Sequence, residues 1–208
     1  MSDRDDPDLH QARLERAASL IRASGARRVL DLGCGSGSLL QYLLRDAQFE
    51  RVVGLELCGE LLAQAKLRLA TLPAARAGRL ELICGSYAEA HPALADFDAA
   101  AMVETLEHVP PEGLSRVERA VFAGLRPGLL VLTTPNGDYN PLFGLARGEF
   151  RDPDHKFEWS RARFRDWGLG VARRHGYGVR FSGIGELDPD LGQPTQVALF
   201  TRHPSRGE

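Results

Sequence analysis

Apolar segments with two different periods alternate along the chain. Short apolar runs such as residues 28–32 and 97–103 are typical of strands in a parallel sheet, which is covered on both faces. Between the runs lie segments such as residues 7–24, in which apolar side chains recur every three or four positions, as on one face of a helix. The alternation predicts an α/β protein with a mostly parallel central sheet and helices on both faces.

Seven strands and five helices follow from this pattern. We expect strands at residues 28–32, 51–55, 80–84, 97–103, 129–133, 178–182 and 195–201. We expect helices at residues 7–24, 38–44, 60–70, 114–125 and 161–174. The fourth strand is nearly all apolar, which predicts a central position in the sheet, and the last two strands are expected to form an antiparallel pair.

Residues 136–160 have no clean period and are rich in Gly, Pro, Asp and Asn. A stretch of this length predicts a functional loop, here a substrate or metal loop, rather than an idle connection. The whole chain, residues 1–208, is expected to form a single domain, with residues 1–6 and 203–208 as flexible tails.

The composition narrows the class of protein. Hydrophobic residues make up 43% and charged residues 26% of the 208 residues, as in soluble globular proteins. The net charge of −2 does not favour a protein that coats nucleic acid, and the arginines between residues 161 and 180 fit a solvated helix face. No apolar run is long enough to cross a membrane, and the N-terminus does not resemble a signal peptide.

The cysteines bear on the expected compartment. Cys34, Cys58 and Cys84 cannot all pair, and none has metal-site spacing relative to another. This favours small buried residues or idle thiols in a reducing, cytoplasmic environment.

A strand, a glycine loop and a helix follow one another near the N-terminus. Gly33 and Gly35 stand two and four residues after Asp31, and glycine allows the backbone to approach a ligand closely. Glu56 ends the next strand, at the place from which a carboxylate can bind both ribose hydroxyls of a nucleoside. The segment therefore predicts a site for a nucleoside cofactor.

The charge of Asp31 distinguishes two such cofactors. The dinucleotide fingerprint expects glycine where Ser38 stands, and it would place an anionic pyrophosphate beside Asp31. S-adenosylmethionine has no phosphate, and its sulfonium and ammonium groups are cationic, so a carboxylate is favourable. The segment resembles the first motif of class I methyltransferases. The cofactor-binding residues that this resemblance implies are Asp31, Gly33, Gly35 and Glu56. Ser86 and Tyr87 stand where the class contacts adenine, although an ordinary turn would explain them equally well.

Two acids and a histidine follow the fourth strand. If the chain turns helical there, Glu104 faces Glu107 and His108 at three- and four-residue spacing. Oxygen-rich ligands with some imidazole suit Mg²⁺ or Mn²⁺. Many small-molecule methyltransferases carry a similar stretch, however, so this segment alone leaves metal binding open.

The run Asp154-His155-Lys156-Phe157-Glu158-Trp159 lies in the loop after the fifth strand, at the sheet edge where Glu104 is expected. Here the sequence resembles the methyltransferases that modify the 3′-terminal 2′-hydroxyl of small RNAs in plants and animals, with a bacterial branch linked to RNA repair. Matching segments occur in order from about residue 28 to residue 201. The run 154–159 is the specific part of the resemblance.

The resemblance implies a metal-dependent 2′-O-methyltransferase acting on an RNA 3′ end. The metal ligands would be Glu104, Glu107, His108 and His155, binding Mn²⁺ or Mg²⁺. Two open positions on the ion would accept the 2′- and 3′-hydroxyls of the terminal ribose. Glu107 or His108 is a candidate catalytic proton acceptor, although a nitrogen bound to metal cannot also accept a proton.

The resemblance also raises a possible partner, and three alternatives stay open. Bacterial relatives usually have a large N-terminal domain that meets an RNA end-healing and ligating partner, whereas this chain begins almost at the methyltransferase segment. The main alternative is a metal-assisted O-methyltransferase for a small molecule such as a catechol. A non-catalytic binding subunit and a nicotinamide dehydrogenase are less favoured.

Overall fold

The computed structural model describes residues 7–204 and contains a seven-stranded sheet. Its strands are β1 Arg28–Leu32, β2 Arg51–Glu56, β3 Leu80–Cys84, β4 Ala99–Val103, β5 Leu129–Pro135, β6 Tyr177–Ile184 and β7 Thr195–Arg202. The order is β3-β2-β1-β4-β5-β7-β6. Strands β1 to β5 run parallel, and β7 pairs antiparallel with both β5 and β6. The predicted strands, the central place of β4 and the antiparallel final pair are confirmed.

Six α-helices flank the sheet in the described part of the chain. They are α1 Pro7–Ala23, α2 Ser38–Leu44, α3 Gly59–Leu69, α4 Pro73–Arg76, α5 Leu114–Glu118 and α6 Arg161–His175. The single helix expected over residues 114–125 is wrong in type, because α5 continues as the π-helix Arg119–Leu125. Short α4 was not predicted. The unperiodic loop begins with the 3-10 helix Gly137–Phe143, which Asn136 caps by accepting the Asp138 backbone N–H.

Each face of the sheet has its own apolar core. One core contains alternate residues of the central strands, such as Leu30, Met102 and Leu132, together with the π-helix and α6. The other contains the residues between them, such as Val29 and Val131, packed against α1 and α2. Two covered faces explain why the central strands are apolar throughout.

The functional candidates lie at the carboxyl ends of the parallel strands. The chain leaves β1 and β4, which are neighbours in the sheet, in different directions, and ligands bind at such a point in open α/β sheets. Among residues 7–204, no helix combines the length and apolar character needed to cross a membrane. Of the predicted tails 1–6 and 203–208, residues 1–6 and 205–208 lie outside the described residues, whereas His203 is described and its backbone N–H donates to the Gly176 carbonyl at 3.0 Å.

Candidate active site

The glycine loop connects the end of β1 to the start of α2. Three of its glycines have positive backbone φ angles, 81° at Gly33, 51° at Gly35 and 85° at Gly37, a conformation that favours glycine. A Cβ atom on Gly33 would lie 2.4 Å from Thr105 Oγ1. The loop therefore needs glycine for its conformation and for its close approach to the segment after β4.

Asp31 is a buried acid at the start of this loop. Its residue is 2% exposed, and its Oδ2 atom has no hydrogen-bond partner. Burial, and then the charge of Glu56, raise the pKa of Asp31 to about 7. A buried carboxylate oxygen without a donor is unfavourable, so a cationic ligand at this position would stabilise the ionised form.

Glu56 ends β2 and is joined to the glycine loop. Its Oε2 accepts the Gly35 backbone N–H at 2.9 Å, and its Oε1 accepts the Cys58 backbone N–H at 2.8 Å. The two bonds hold the carboxylate between the loop and the start of α3. This is the position from which the sequence predicts contact with ribose.

Ser86 and Tyr87 follow β3, as expected, but their side chains are used within the protein. Ser86 Oγ accepts the Ala88 backbone N–H at 3.1 Å. The Tyr87 hydroxyl donates to the Thr105 carbonyl at 3.0 Å, and burial raises the pKa of Tyr87. Tyr87 thus supports the segment after β4, and the adenine contact stays a prediction for both residues.

The segment after β4 is not the continuous helix that the spacing suggested. Glu104 has a left-handed φ of 49°, and only Leu106–His108 form a 3-10 turn. Glu104 therefore does not share a helical face with Glu107 and His108. One oxygen, Oε2, pairs with the guanidinium of Arg13 at 3.1 Å, whereas Oε1 is buried without a partner.

Three of the four predicted metal ligands lie together. Glu107, His108 and His155 each offer a ligand atom, and these atoms all lie within 4.8 Å of one another. Glu107 is fully buried, and its Oε2 accepts the Thr134 hydroxyl at 3.0 Å. Burial, and then the charge of Glu104, raise the pKa of Glu107 well above the usual range. The ionised form of Glu107 is therefore disfavoured unless a cation lies nearby.

The loop after β5 carries His155 to this cluster. The Lys156 backbone N–H donates to the Glu107 carbonyl at 2.8 Å, and the His155 and His108 rings lie 4.9 Å apart between centroids. His155 Nδ1 lies 2.5 Å from Glu158 Oε1. Burial raises the pKa of Glu158, but hydrogen bonds from His155 and other donors outweigh it and lower the pKa overall.

One cavity of about 520 Å³ joins the two halves of the site. Its lining includes six of the predicted residues, namely Asp31, Gly33, Gly35, Glu104, His108 and His155. Four predicted residues do not line it: Glu56, Ser86, Tyr87 and Glu107. The glycine loop and the histidine pair therefore face the same space.

Arg13 is a site residue that the sequence analysis missed. It projects from α1, is 1% exposed, and donates from Nε to Thr195 Oγ1 at 2.8 Å while pairing with Glu104. The available signal was an arginine beside Leu14 on the apolar face of the first helix. A second arginine, Arg151, is 7% exposed, and its guanidinium donates to the carbonyl oxygens of Asn136 and Pro194.

Comparison with known proteins shows which family this chain resembles. Residues 29–128 match the family model described as a methyltransferase domain. The chain is 37% identical to the methyltransferase domain of the bacterial protein CtHen1, with a TM-score of 0.85 over 94% of this chain and 100% of that structure. This chain belongs to the Hen1 methyltransferase family. The predicted class I S-adenosylmethionine-dependent methyltransferase fold is thereby confirmed.

Two further relatives extend the comparison. The Gallus gallus protein named small RNA 2′-O-methyltransferase is 34% identical over 94% of this chain and 54% of its own length. A chain of the Pnkp1/Rnl/Hen1 RNA repair complex, at 20% identity and a TM-score of 0.71, covers 93% of this chain and 42% of that one, and shares the fold. This chain spans about half the length of the curated relatives from Gallus gallus, Xenopus tropicalis and Mus musculus that it matches.

Proposed function

We propose that the protein transfers a methyl group from S-adenosylmethionine to the 2′-hydroxyl of the 3′-terminal nucleotide of an RNA, with a divalent metal ion. The observation that carries the proposal is the single cavity lined by both Asp31 of the glycine loop and the pair His108 and His155. The methyl donor and the acceptor hydroxyl would meet in that cavity. Family membership supports the same reaction, because the Gallus gallus relative is named small RNA 2′-O-methyltransferase.

The cofactor half of the site fits a cationic nucleoside. Asp31 Oδ2 is buried and unpartnered, so it can accept from the ammonium of S-adenosylmethionine. Glu56 stands at the end of β2, where its carboxylate can accept from the ribose hydroxyls. Gly33 and Gly35 have positive φ angles and no side chain, so the backbone of the loop can approach the cofactor closely.

The acceptor half fits a hard divalent cation. Among residues 7–204, five buried side-chain polar atoms lack a hydrogen-bond partner, and three of them are Glu104 Oε1, Glu107 Oε1 and His108 Nδ1. Unpaired oxygens and an imidazole nitrogen in one region suit Mg²⁺ or Mn²⁺. Glu104, Glu107, His108 and His155 would hold the ion, with Glu104 binding through the oxygen that Arg13 leaves free. When bound, the ion would act as a Lewis acid that lowers the pKa of the acceptor hydroxyl.

The residues themselves position the reaction. Thr134 and the Lys156 backbone N–H fix Glu107 and join it to the loop that carries His155. Because His155 and Asp31 line the same cavity, alignment of the methyl donor with the acceptor hydroxyl there would supply much of the rate. The role of proton acceptor stays a prediction for either Glu107 or His108. An internal nucleotide lacks a free 3′-hydroxyl, and a DNA end lacks the 2′-hydroxyl. A site that binds both hydroxyls of one ribose would therefore select RNA termini.

The test supplies labelled S-adenosylmethionine, Mn²⁺ and a short RNA, beside the same RNA with a 2′-deoxy terminus. Both are measured with and without EDTA. Label that enters only the ribose-ended RNA, and only with metal present, is expected. No label in either RNA, with S-adenosylmethionine binding intact by calorimetry, would replace the RNA with a small-molecule acceptor such as a catechol.

A partner in RNA repair is a separate proposal. We infer that an end-healing and ligating assembly could supply the RNA terminus, as the composition of the Pnkp1/Rnl/Hen1 complex suggests for its own Hen1 chain. Co-purification of this chain with an RNA ligase from its native host would support it. Purification without a ligase or an end-healing enzyme would contradict it.

A further inference from the structure

The carboxylate of Glu158 is buried against His155, in the same loop. Its side chain is 1% exposed, and that of His155 is 9% exposed. Oε1 lies 2.5 Å from His155 Nδ1 and also accepts the Arg151 backbone N–H at 2.8 Å. Oε2 accepts an amide N–H of Asn140 at 2.6 Å. Glu158 is therefore an acceptor towards each of these neighbours.

An accepting carboxylate decides which nitrogen of His155 carries the proton. A neutral imidazole has one N–H donor and one lone pair. Since Glu158 accepts, Nδ1 of His155 is the donor, and Nε2 keeps the lone pair. A metal ion binds an imidazole only through such a lone pair.

We propose that Glu158 is a positioning residue that holds His155 in the Nδ1–H tautomer and in a fixed ring orientation, which leaves Nε2 to bind the divalent ion. The inference rests on the proposed function, because it assumes that His155 binds metal. Carboxylates commonly orient metal-binding histidines in this way and also increase the basicity of the ligand nitrogen. Glu158 itself binds neither substrate nor metal.

The support for Glu158 comes from more than one segment. Arg151, whose backbone holds Oε1, donates through its guanidinium to the carbonyl oxygens of Pro194 and Asn136. The carboxylate is thus anchored to the end of β5 and the start of β7 as well as to its own loop. A side chain held this firmly can restrict the rotation of the ring that it contacts.

His108 provides a contrast within the same cluster. Its side chain is 38% exposed, and the acid that approaches its Nδ1, Asp154 at 3.4 Å, is 74% exposed. His108 Nδ1 has no hydrogen-bond partner. Only His155 of the two histidines is therefore oriented by a buried carboxylate.

The experiment compares Glu158→Ala and Glu158→Gln with the wild-type protein and with Glu149→Gln as a matched control. Glu149 is an exposed acid in the same loop, and its carboxylate accepts the Ala146 backbone N–H rather than a histidine. Long-range ¹H–¹⁵N NMR of the metal-free protein reads the His155 tautomer, with His155→Ala used to assign the signals. Calorimetry or electron paramagnetic resonance measures the affinity for Mn²⁺.

We expect the Nδ1–H tautomer in the wild-type protein and a mixture in Glu158→Ala. The dissociation constant for Mn²⁺ should increase about 10- to 100-fold in Glu158→Ala, and less in Glu158→Gln, which keeps an acceptor oxygen. Glu149→Gln should change neither quantity. In a His155→Ala background, Glu158→Ala should have little further effect on Mn²⁺ affinity, because Glu158 acts through His155.

An Nε2–H tautomer in the wild-type protein would overturn the inference, and so would unchanged Mn²⁺ affinity in Glu158→Ala. Fully additive losses in the double variant would assign Glu158 a merely structural role. If Glu158→Ala loses its thermal unfolding transition, the isosteric Glu158→Gln serves for both measurements. A wild-type protein that binds no Mn²⁺ would overturn the metal site itself, whereas the tautomer reports on the contact between Glu158 and His155 alone.

Discussion

The two ends of the cavity are built in different ways. At the cofactor end, residues 31–37 and Glu56 come from the neighbouring strands β1 and β2, and a hydrogen bond from Gly35 to Glu56 joins them directly. At the acceptor end, residues 104–108 meet residues 154–158, which return from a long loop after β5. A site formed by adjacent strand ends can be identified from local sequence, whereas a site completed by a returning loop depends on the fold of that loop.

The two ends also differ in the ligand that their unpaired groups favour. Asp31 offers one buried oxygen, which suits one cationic group of a cofactor. Glu104 and Glu107 each offer one unpaired oxygen, and Glu107 lies in one cluster with the imidazoles of His108 and His155, which suits a divalent ion. If the ends are independent, a substitution at one should leave ligand binding at the other intact.

The largest expected effect comes from His155→Ala at the acceptor end. Loss of a metal ligand should lower the single-turnover rate of RNA methylation about 1000-fold, a barrier increase of about 4 kcal/mol. The affinity for S-adenosylmethionine should stay the same by calorimetry. A parallel loss of cofactor affinity would show that the two ends are not independent.

The converse substitution is Asp31→Asn at the cofactor end. It removes the charge that would bind the ammonium, so the affinity for S-adenosylmethionine should fall about 10- to 100-fold. Binding of Mn²⁺, measured by electron paramagnetic resonance, should not change. Unaltered cofactor affinity would remove Asp31 from the proposed binding set.

A third substitution, Gly33→Ala, tests the physical link between the ends. The new Cβ would lie 2.4 Å from Thr105 Oγ1, and the φ of 81° is itself unfavourable for alanine. We expect the free energy of unfolding in urea to fall by about 2–4 kcal/mol. Gly25→Ala is the matched control, because φ is 77° there with open space around it, and it should cost only about 1–2 kcal/mol. Equal losses would mean that the contact with Thr105 is unimportant.

The pH dependence provides the smallest and most local test. The pKa of Asp31 is raised to about 7 in the folded protein, against about 3.9 when unfolded. The folded state then binds more protons between these values, so this stabilising contribution is complete below about pH 4 and is lost as the pH rises through 7. The melting temperature of the cofactor-free protein should show this decline, and Asp31→Asn should make it shallower, because Glu107, whose pKa is also raised, still contributes. Affinity for S-adenosylmethionine should increase over the same range, and a flat wild-type profile would contradict the assignment.

Much of the fold could be predicted because the central strands are continuous apolar runs. The observed β1 and β3 have the predicted bounds, and β4 begins at Ala99 instead of residue 97. The π-helix Arg119–Leu125 was not foreseen, because an apolar helical spacing does not distinguish π from α hydrogen bonding. Trp159, the last residue of the run 154–159, stacks on Phe157 at 4.3 Å between ring centroids and is 6% exposed, so it packs in the core.

The sequence by itself determined the parallel sheet and the glycine loop with Asp31 and Glu56, because these depend on local spacing and on the rule that parallel strands end at one edge. The set of acids and histidines at the acceptor end was implied by the resemblance to a known family. Only the tertiary structure decided that Glu104 pairs with Arg13, that Glu107 is fully buried, and that Glu158 holds His155. The pairing of Glu104 with Arg13 joins side chains far apart in the chain and depends on a backbone φ of 49° at Glu104. The contact between Glu158 and His155 is local, but it depends on the irregular fold of their loop. Residue type and periodicity do not encode such contacts or such a backbone angle, because these result from how the packed segments meet.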